Sequence, residues 1–435
     1  MRRLLESRRR LEQRVHQDDP GEWVWWWIAA DPFELPPHTL ASLRRAGGEL
    51  TRFFAAANKL FHADEAVQRR LEKHNVPAYA LLNRAQPDAL PHLIRPDVVL
   101  DAAWRPKFVE LEITVCARYE LMVMAEHHGL DPQGGLLRHY VDMVNRHWPG
   151  KTLAVLAAPC ATWPDVPDEG REFAANLARA GLNVVTITDQ NIGNLRFDGR
   201  RLWLARRDQP PIAIDVIDRF MDIYEIAELR HPGMAAVLDA YVAGAVQDMN
   251  TCKQFLDEKE WFALFWDPQL RRWWQGELGA EADRLLREML PRTWRLAEGL
   301  QVELPGGATL PVLRLGELPP EQRRFIIKES GTSETSSGAQ SLRVLHEMDA
   351  AEVRDALAEA LATGAPYILQ ETVDSPRISF TALDTNRHEV VTQDGARIKL
   401  SVFYLDGEMT DIKFIASNAK FSVNDERCVE GVVRR

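Results

Sequence analysis

The sequence has no excess of positive charge, no long apolar run and no paired cysteines, and each absence removes a class of function. Across 435 residues the formal net charge is −11. A surface that neutralises nucleic-acid phosphates needs the opposite balance, so no nucleic-acid partner is expected. The densest aromatic stretch, "WVWWWIAA" at 23–30, is far too short to cross a bilayer and reads as core or a packing anchor, so no membrane partner is expected. The basic opening "MRRLLESRRRLEQRV" lacks the apolar centre of a secretory leader and reads as an exposed helix. Cys116, Cys160, Cys252 and Cys428 are far apart with no CxxC pair, which fits reduced, buried thiols of a cytoplasmic protein and neither a disulfide frame nor a zinc site. Neither HExxH nor GxSxG occurs, "HHG" (127–129) and "HEM" (346–348) lack metal-ligand spacing, and no repeat of fixed period is present.

What is present is an ordinary globular composition on a chain long enough for two or three domains. Residues 1–90 carry helical spacing, as in "LASLRRAGGELTRFFAAANKLFH". At 94–116, "IRPDVVLDAAWRPKFVELEITVC" changes to two strands around a turn, and helices return at 117–148. From 151 the pattern alternates: strand 152–158, helix 169–182, strand 183–189, a hairpin turning at Asp198-Gly199, then "IAIDVIDRF" (212–220) as a strand. Residues 225–300 are helical and rich in tryptophan. The last third is α+β: a D-x-x-E capping pair, Asp349 and Glu352, opens a helix that stops at Gly364, "PYILQETV" follows as a strand, and a final hairpin turns at Asp406-Gly407.

Chemistry first appears in "FIIKESGTSETSSGAQSLRVL" (325–345), where an apolar strand carries Lys328 into a loop of Gly, Ser and Thr. Backbone N–H groups of such a loop can cradle phosphate oxygens, and the ammonium adds a point charge. The loop is neither GxxxxGK[ST] nor GxGxxG. Read locally, it is first a plain hairpin tip.

The order strand, lysine, small-residue loop, strand, helix, strand resembles the nucleotide-binding subdomain of the ATP-grasp superfamily. The resemblance implies that Lys328 contacts phosphate, that Ser336, Ser337 and Gly338 belong to a lid, and that Gln370 and Glu371 form the hinge beside adenine. "VQDMNTCKQFLDEKEWFALF" (246–265) resembles the lysine-bearing segment ahead of this subdomain and would make Lys253 its lysine; "LPRTWRL" resembles the Pro-x-Thr that follows. No E-x-N metal motif stands in 400–435, but an altered one does at 95–112, where Glu110 and Glu112 alternate onto one strand face with Asp97 on the neighbouring strand. These three would hold Mg²⁺. Metal motif first and lysine loop last is the order of the circularly permuted ATP-grasp group, which includes glutathionylspermidine synthetase-type ligases. Two departures stand out: Glu112 replaces the usual Asn, which makes the site more anionic, and the loop is poorer in glycine than usual.

The expected architecture is therefore a multidomain α+β and α/β chain, ATP-grasp-like and permuted. It comprises a helical region with the metal-site strands (1–150), a small Rossmann-like layer (151–240) and the nucleotide-binding subdomains (241–435). The implied activity is an ADP-forming ligation in which ATP phosphorylates a small-molecule or peptide carboxylate and an amine attacks the acyl phosphate. ATP and Mg²⁺ are the implied cofactors. Arg95 would stabilise charge on the acyl phosphate, and Lys399 would give a further phosphate contact. Other readings are a nucleotide-binding pseudoenzyme or regulatory scaffold, a Rossmann-type transferase using the 151–220 layer, and, for the three carboxylates, a solvated strand face. The missing Gly-rich turn after "TLAVLAA" counts against the transferase.

Overall fold

A computed structural model describes residues 27–72, 77–113, 118–130, 135–158, 166–220, 232–304, 306–331, 336, 340–384, 389–418, 421 and 428–434. The expectations for residues 1–26, Cys116, Cys160, Ser337 and Gly338 fall outside these.

Among the described residues the largest sheet has eight strands and draws them from both ends of the chain. Its long member, Glu389–Leu405, turns at Asp406-Gly407 into Glu408–Ser417, with φ of 50° at Asp406 and 78° at Gly407. Asp and Gly tolerate that left-handed region, which two-residue hairpin turns require. On its other side the long strand pairs antiparallel with Leu93–Leu100, which pairs in turn with Pro106–Glu112. The link between these two is the expected "DAAWRP" turn. Asp101 Oδ1 accepts the N–H groups of Ala103 and Arg105, both at 2.9 Å, which adds to the backbone bonds from the Trp104 N–H to the Asp101 carbonyl at 2.8 Å and from the Asp101 N–H to the Arg105 carbonyl at 3.0 Å. Val429–Arg434 continues the sheet, and Trp27–Ala29, the tail of the tryptophan cluster, runs parallel to it.

The 27-residue helix Pro37–Ala63 covers this sheet. Leu43, Leu50, Phe54 and Phe61 share one core with Val98, Leu400, Val402 and Phe414 of the strands; each such side chain contributes about 1.5–3 kcal/mol by leaving water. The tryptophan-rich helices close the other side, with Phe53 stacked on Trp274 at 5.2 Å and Phe61 on Phe255 at 3.7 Å between centroids. Gly47 explains the glycine pair inside the helix: a Cβ there would sit 2.1 Å from the Gly407 carbonyl oxygen, so helix and hairpin turn meet backbone to backbone.

A second, four-stranded sheet is wholly parallel, in the order Gln247–Asp248, Val216–Arg219, Thr152–Leu156, Asn183–Ile187, with the helix Val166–Arg179 between the last two in sequence. The single strand expected at 212–220 is in fact two. Gln209–Ile214 joins an antiparallel sheet with Leu195–Phe197 and Leu202–Arg206, and the chain then breaks at Asp215. The cause is the Asp215 carboxylate, which turns back to accept the Thr152 N–H at 3.0 Å.

A third sheet orders Thr293–Arg295, Tyr367–Glu371, Phe325–Glu329 and Arg343–Val344, all antiparallel. The helix Ala350–Ala362 packs beneath it and starts with the expected reciprocal cap: Asp349 accepts from Ala351 and Glu352, and Glu352 accepts the Asp349 N–H.

Candidate functional site

The large sheet and the third sheet meet at the Asp97 hairpin. Register alone places its charged residues: Asp97 lies opposite Glu110, Arg95 opposite Glu112, and Ser401 of the long strand opposite Asp97. The pairing slips between Asp97 and Val98, so that Val98 faces Phe108 and Val109 has no partner across the ladder. This β-bulge has two consequences. It changes the phase of the strand, so Phe108 goes into the core while Glu110 and Glu112 stay on the opposite face. It also leaves the Val109 carbonyl outside the ladder, where Lys328 Nζ donates to it at 3.1 Å.

Carboxylate oxygens from Asp97, Glu110 and Glu112 lie within 4.8 Å of one another. Each already faces a cation of the protein. Lys399 Nζ is 2.7 Å from Asp97 Oδ2, Lys259 Nζ is 2.7 Å from Glu110 Oε1, and Arg95 pairs with Glu112 Oε2. Burial alone would raise the Asp97 carboxyl, but the Lys399 and Arg95 charges and hydrogen bonds from Lys399 and Ser401 hold it down at about 2. Burial likewise opposes ionisation of Glu110, and Lys259 and Lys328 overcome it. Lys328 is the strained member. Burial lowers it to about 8, Glu110 only partly restoring the charge while Lys259 and Lys399 repel it. With Arg95, the site sets four cations against three carboxylates.

The lysine loop approaches the same place. Lys259 donates to the Ser336 carbonyl at 2.9 Å, and Ser336 Oγ donates to the Gly331 carbonyl at 2.8 Å. At the loop mouth Ser330 Oγ donates to Glu258 Oε2 at 2.7 Å and accepts the Glu260 N–H at 2.9 Å. Glu258 is raised to about 7, by burial above all and then by Glu260 and Glu329 nearby.

Of the residues the sequence pointed to, Arg95, Asp97, Glu110, Glu112, Lys328 and Lys399 are thus brought together, with Ser336 at the edge. Gln370 is there too, but as a support: its Oε1 accepts from Lys328 at 3.2 Å and its Nε2 donates to Thr293 Oγ1 at 3.2 Å. Glu371 lies at the end of that strand with its N–H donated to the Arg292 carbonyl at 2.9 Å. Lys253 is not part of the cluster. Its ammonium is spent on Asn58 Oδ1 and the carbonyls of Pro87 and Ala89, at 2.7–2.8 Å, and burial lowers it to about 8. The lysine that reaches the carboxylates is Lys259, six positions on, which the sequence reading passed over. The signal available was its place among three acidic neighbours in "DEKE", a density of charge just before an apolar helix that demands a cationic partner.

This arrangement of sheets recurs in solved structures. A glutathione synthetase-like effector from Globodera pallida, in apo form, superimposes with a TM-score of 0.58 over 99% of this chain and 96% of that one, at 11% identity. The fold is glutathione synthetase-like. A weaker likeness, to a Methylobacillus flagellatus protein provisionally named as a gamma-glutamylcysteine synthetase, has a TM-score of 0.42, 12% identity and coverage of 90% and 86%, too slight to argue from. No protein-family model matches the sequence, and no curated protein does. Within the glutathione synthetase-like fold the Asp97 cluster fits a hard divalent ion by its donor chemistry. All three side chains are carboxylates; Glu110 and Glu112 each give one oxygen to a cation, and Asp97 gives Oδ2 to Lys399 and Oδ1 to the Ser401 hydroxyl.

Proposed function

We propose that this chain is an ATP-dependent ligase of the circularly permuted ATP-grasp kind, joining a small-molecule or peptide carboxylate to an amine or similar nucleophile. The observation that carries the proposal is the meeting of Asp97, Glu110 and Glu112 with Lys259, Lys328 and Lys399, from strands and a turn far apart in sequence (Lys328 to Val109 spans 219 positions). The glutathione synthetase-like fold supports it. Phosphoryl transfer asks a protein chiefly for positioning and charge neutralisation, and a cluster with one cation in excess and carboxylates for a metal supplies both.

In this reading Lys259 and Lys328 hold phosphate oxygens, with Lys399 beside them, and Asp97, Glu110 and Glu112 would hold Mg²⁺, which when bound neutralises phosphate charge. Ser336 would belong to the lid, whose other expected members lie outside the described residues, and the Gln370–Glu371 strand end would lie along the nucleotide, Gln370 also orienting Lys328. The γ-phosphoryl group passes to the substrate carboxylate with ADP leaving; the amine then displaces phosphate from the acyl carbon. Arg95 stabilises the charge that grows on that carbon's oxygens. No nucleic acid or membrane takes part, and the cytoplasm is the proposed compartment; among the described residues no helix is long and apolar enough to cross a membrane.

The test is calorimetry of ATP with Mg²⁺, followed by a screen of acid and amine pairs for ADP release that needs both members. Binding and paired turnover are expected; absence of nucleotide binding overturns the proposal. The pairing of every carboxylate with a protein cation favours one second reading, a pseudoenzyme that binds nucleotide. Binding with no ADP release from any pair would select it.

A further inference from the structure

Elsewhere in the fold, two histidines and an aspartate from three separated segments meet at the rim of a cavity of about 450 Å³. His92 Nδ1 lies 2.7 Å from Asp406 Oδ1, and His147 Nε2 lies 2.8 Å from Asp406 Oδ2. The two imidazole centroids are 4.3 Å apart, and one ligating atom from each of the three residues lies within 4.8 Å of the others.

The three are held there by backbone. The His92 N–H donates to the Met249 carbonyl at 3.0 Å, and the His92 carbonyl accepts the Asp406 N–H at 2.8 Å. His147 ends the helix Gly135–His147. Asp406 sits in the hairpin turn that Gly407 presses against Gly47 and Thr51. Lys253 now has a purpose: its grip on the Pro87 and Ala89 carbonyls fixes the segment that leads into His92 and lines the cavity.

We propose that His92, His147 and Asp406 form a site for a divalent transition ion, Zn²⁺ above all, with a fourth position open to the cavity. Two imidazoles and one carboxylate select such ions over Mg²⁺. Three protein ligands with one position open is the pattern of zinc that takes a water or a substrate donor, in contrast to closed structural sites. Donors bound at ~2.0–2.1 Å in a tetrahedron stand ~3.3 Å apart, a spacing inside the 4.8 Å within which one donor atom of each residue already lies. Arg146 Nη1 also reaches Asp406 Oδ2, at 3.0 Å; its side chain is 62% exposed and leaves Oδ1 to the ion. The cavity wall mixes polar side chains, Gln86, Asp88 and Gln247, with apolar surface from Ala89, Leu90 and Trp148, which suits a small amphipathic ligand on the open position. This site shares no residue with the proposed nucleotide site, and either can fail without the other.

The test uses the full chain, stripped with a chelator and titrated with Co²⁺ and then Zn²⁺. One equivalent of Co²⁺ should give the strong visible bands of a low-coordinate nitrogen-containing site. Zn²⁺ should displace it and excess Mg²⁺ should not, whereas an oxygen-only site such as the Asp97 cluster gives weak bands. His147→Ala should abolish the bands. Asp406→Asn, which keeps the left-handed turn and so the fold, should weaken Zn²⁺ by at least about tenfold. In the unaltered protein Zn²⁺ should shift the ring-nitrogen resonances of His92 and His147. Absence of bands and of ring-nitrogen shifts, or full affinity in folded Asp406→Asn, would overturn the site and leave a hydrogen-bonded triad that only pins the turn.

Discussion

Lys328 Nζ donates to the carbonyl of Val109 across 219 positions of sequence, and that bond locks the lysine strand of the third sheet to the bulge in the hairpin bearing Asp97, Glu110 and Glu112. A buried ammonium held by one carbonyl and one amide oxygen, with its nearest carboxylate already paired to Lys259, is costly to the empty protein. Groups kept at such cost are commonly functional.

Lys328→Met should weaken ATP by tenfold or more in calorimetry while the variant melts at or above the parent temperature at pH 7. A base lowered to about 8 from 10.5 penalises folding below the lower value, and the parent's stability rises as pH climbs between the two. The variant should lose that rise; at pH 7 relief of the buried charge should outweigh the lost donor, whose bonds to Val109 and Gln370, at 3.1 and 3.2 Å, are longer than those of Lys253 at 2.7–2.8 Å. A folded variant with unchanged ATP affinity would make the loop a plain hairpin tip.

Lys259 and Lys253 should separate cleanly. Lys259→Met should cut ATP affinity, because it removes the partner of Glu110 and the contact to Ser336. Lys253→Met should leave ATP affinity unchanged and cost about 1–3 kcal/mol in chemical denaturation, since three buried acceptors lose their donor. Reversed results would return the phosphate role to Lys253.

For Arg95→Ala we expect kcat to fall about 10²–10³-fold with little change in the KM for ATP, as for loss of a group that acts on the transition state. The Arg95–Glu112 pair offers the competing outcome. A large drop in melting temperature with near-normal kcat in the folded fraction would make Arg95 a structural residue.

Glu258 sets a pH dependence of opposite sign to that of Asp97. A carboxyl raised from 4.5 to about 7 stabilises the fold fully below 4.5, and that contribution is lost as pH rises through 7. Glu258→Gln should flatten the stability profile between these values and raise stability at pH 8 by on the order of 2 kcal/mol. Asp97, lowered from 3.8 to about 2, contributes above 3.8 and is lost as pH falls through 2, so Asp97→Asn should lower stability everywhere above 3.8 and flatten the acid limb below it. Urea melts at several pH values read both.

The glycine pair of the long helix gives a purely structural check. Gly48→Ala meets no atom within 4 Å and should stabilise by about 0.5–1 kcal/mol. Gly47→Ala would drive a methyl into the Gly407 carbonyl and should destabilise by about 1–3 kcal/mol despite the better helix propensity. Equal effects at the two positions would mean the helix and the Asp406 turn are not in contact.

By itself the sequence determined whatever depends on neighbours along the chain. The cap at Asp349, the turns at Asp101, Asp198 and Asp406, and the alternation that puts Glu110 with Glu112 all follow from local hydrogen bonding and a period of two. The order of the motifs was legible for the same reason. Four things were not. The break at Asp215 arises from a bond to Thr152 on another strand. The choice of Lys259 over Lys253 depends on which ammonium faces Glu110 once two sheets have docked, and six residues of spacing carry no such information. The Val109 bulge, which turns Phe108 inward and frees a carbonyl for Lys328, is a register between strands. His92, His147 and Asp406 are likewise brought together only by the packing of a loop, a helix end and a hairpin turn. Periodicity fixes which side of its own element a residue occupies; which other element that side meets is settled by the burial of the shared core, a property of the whole chain.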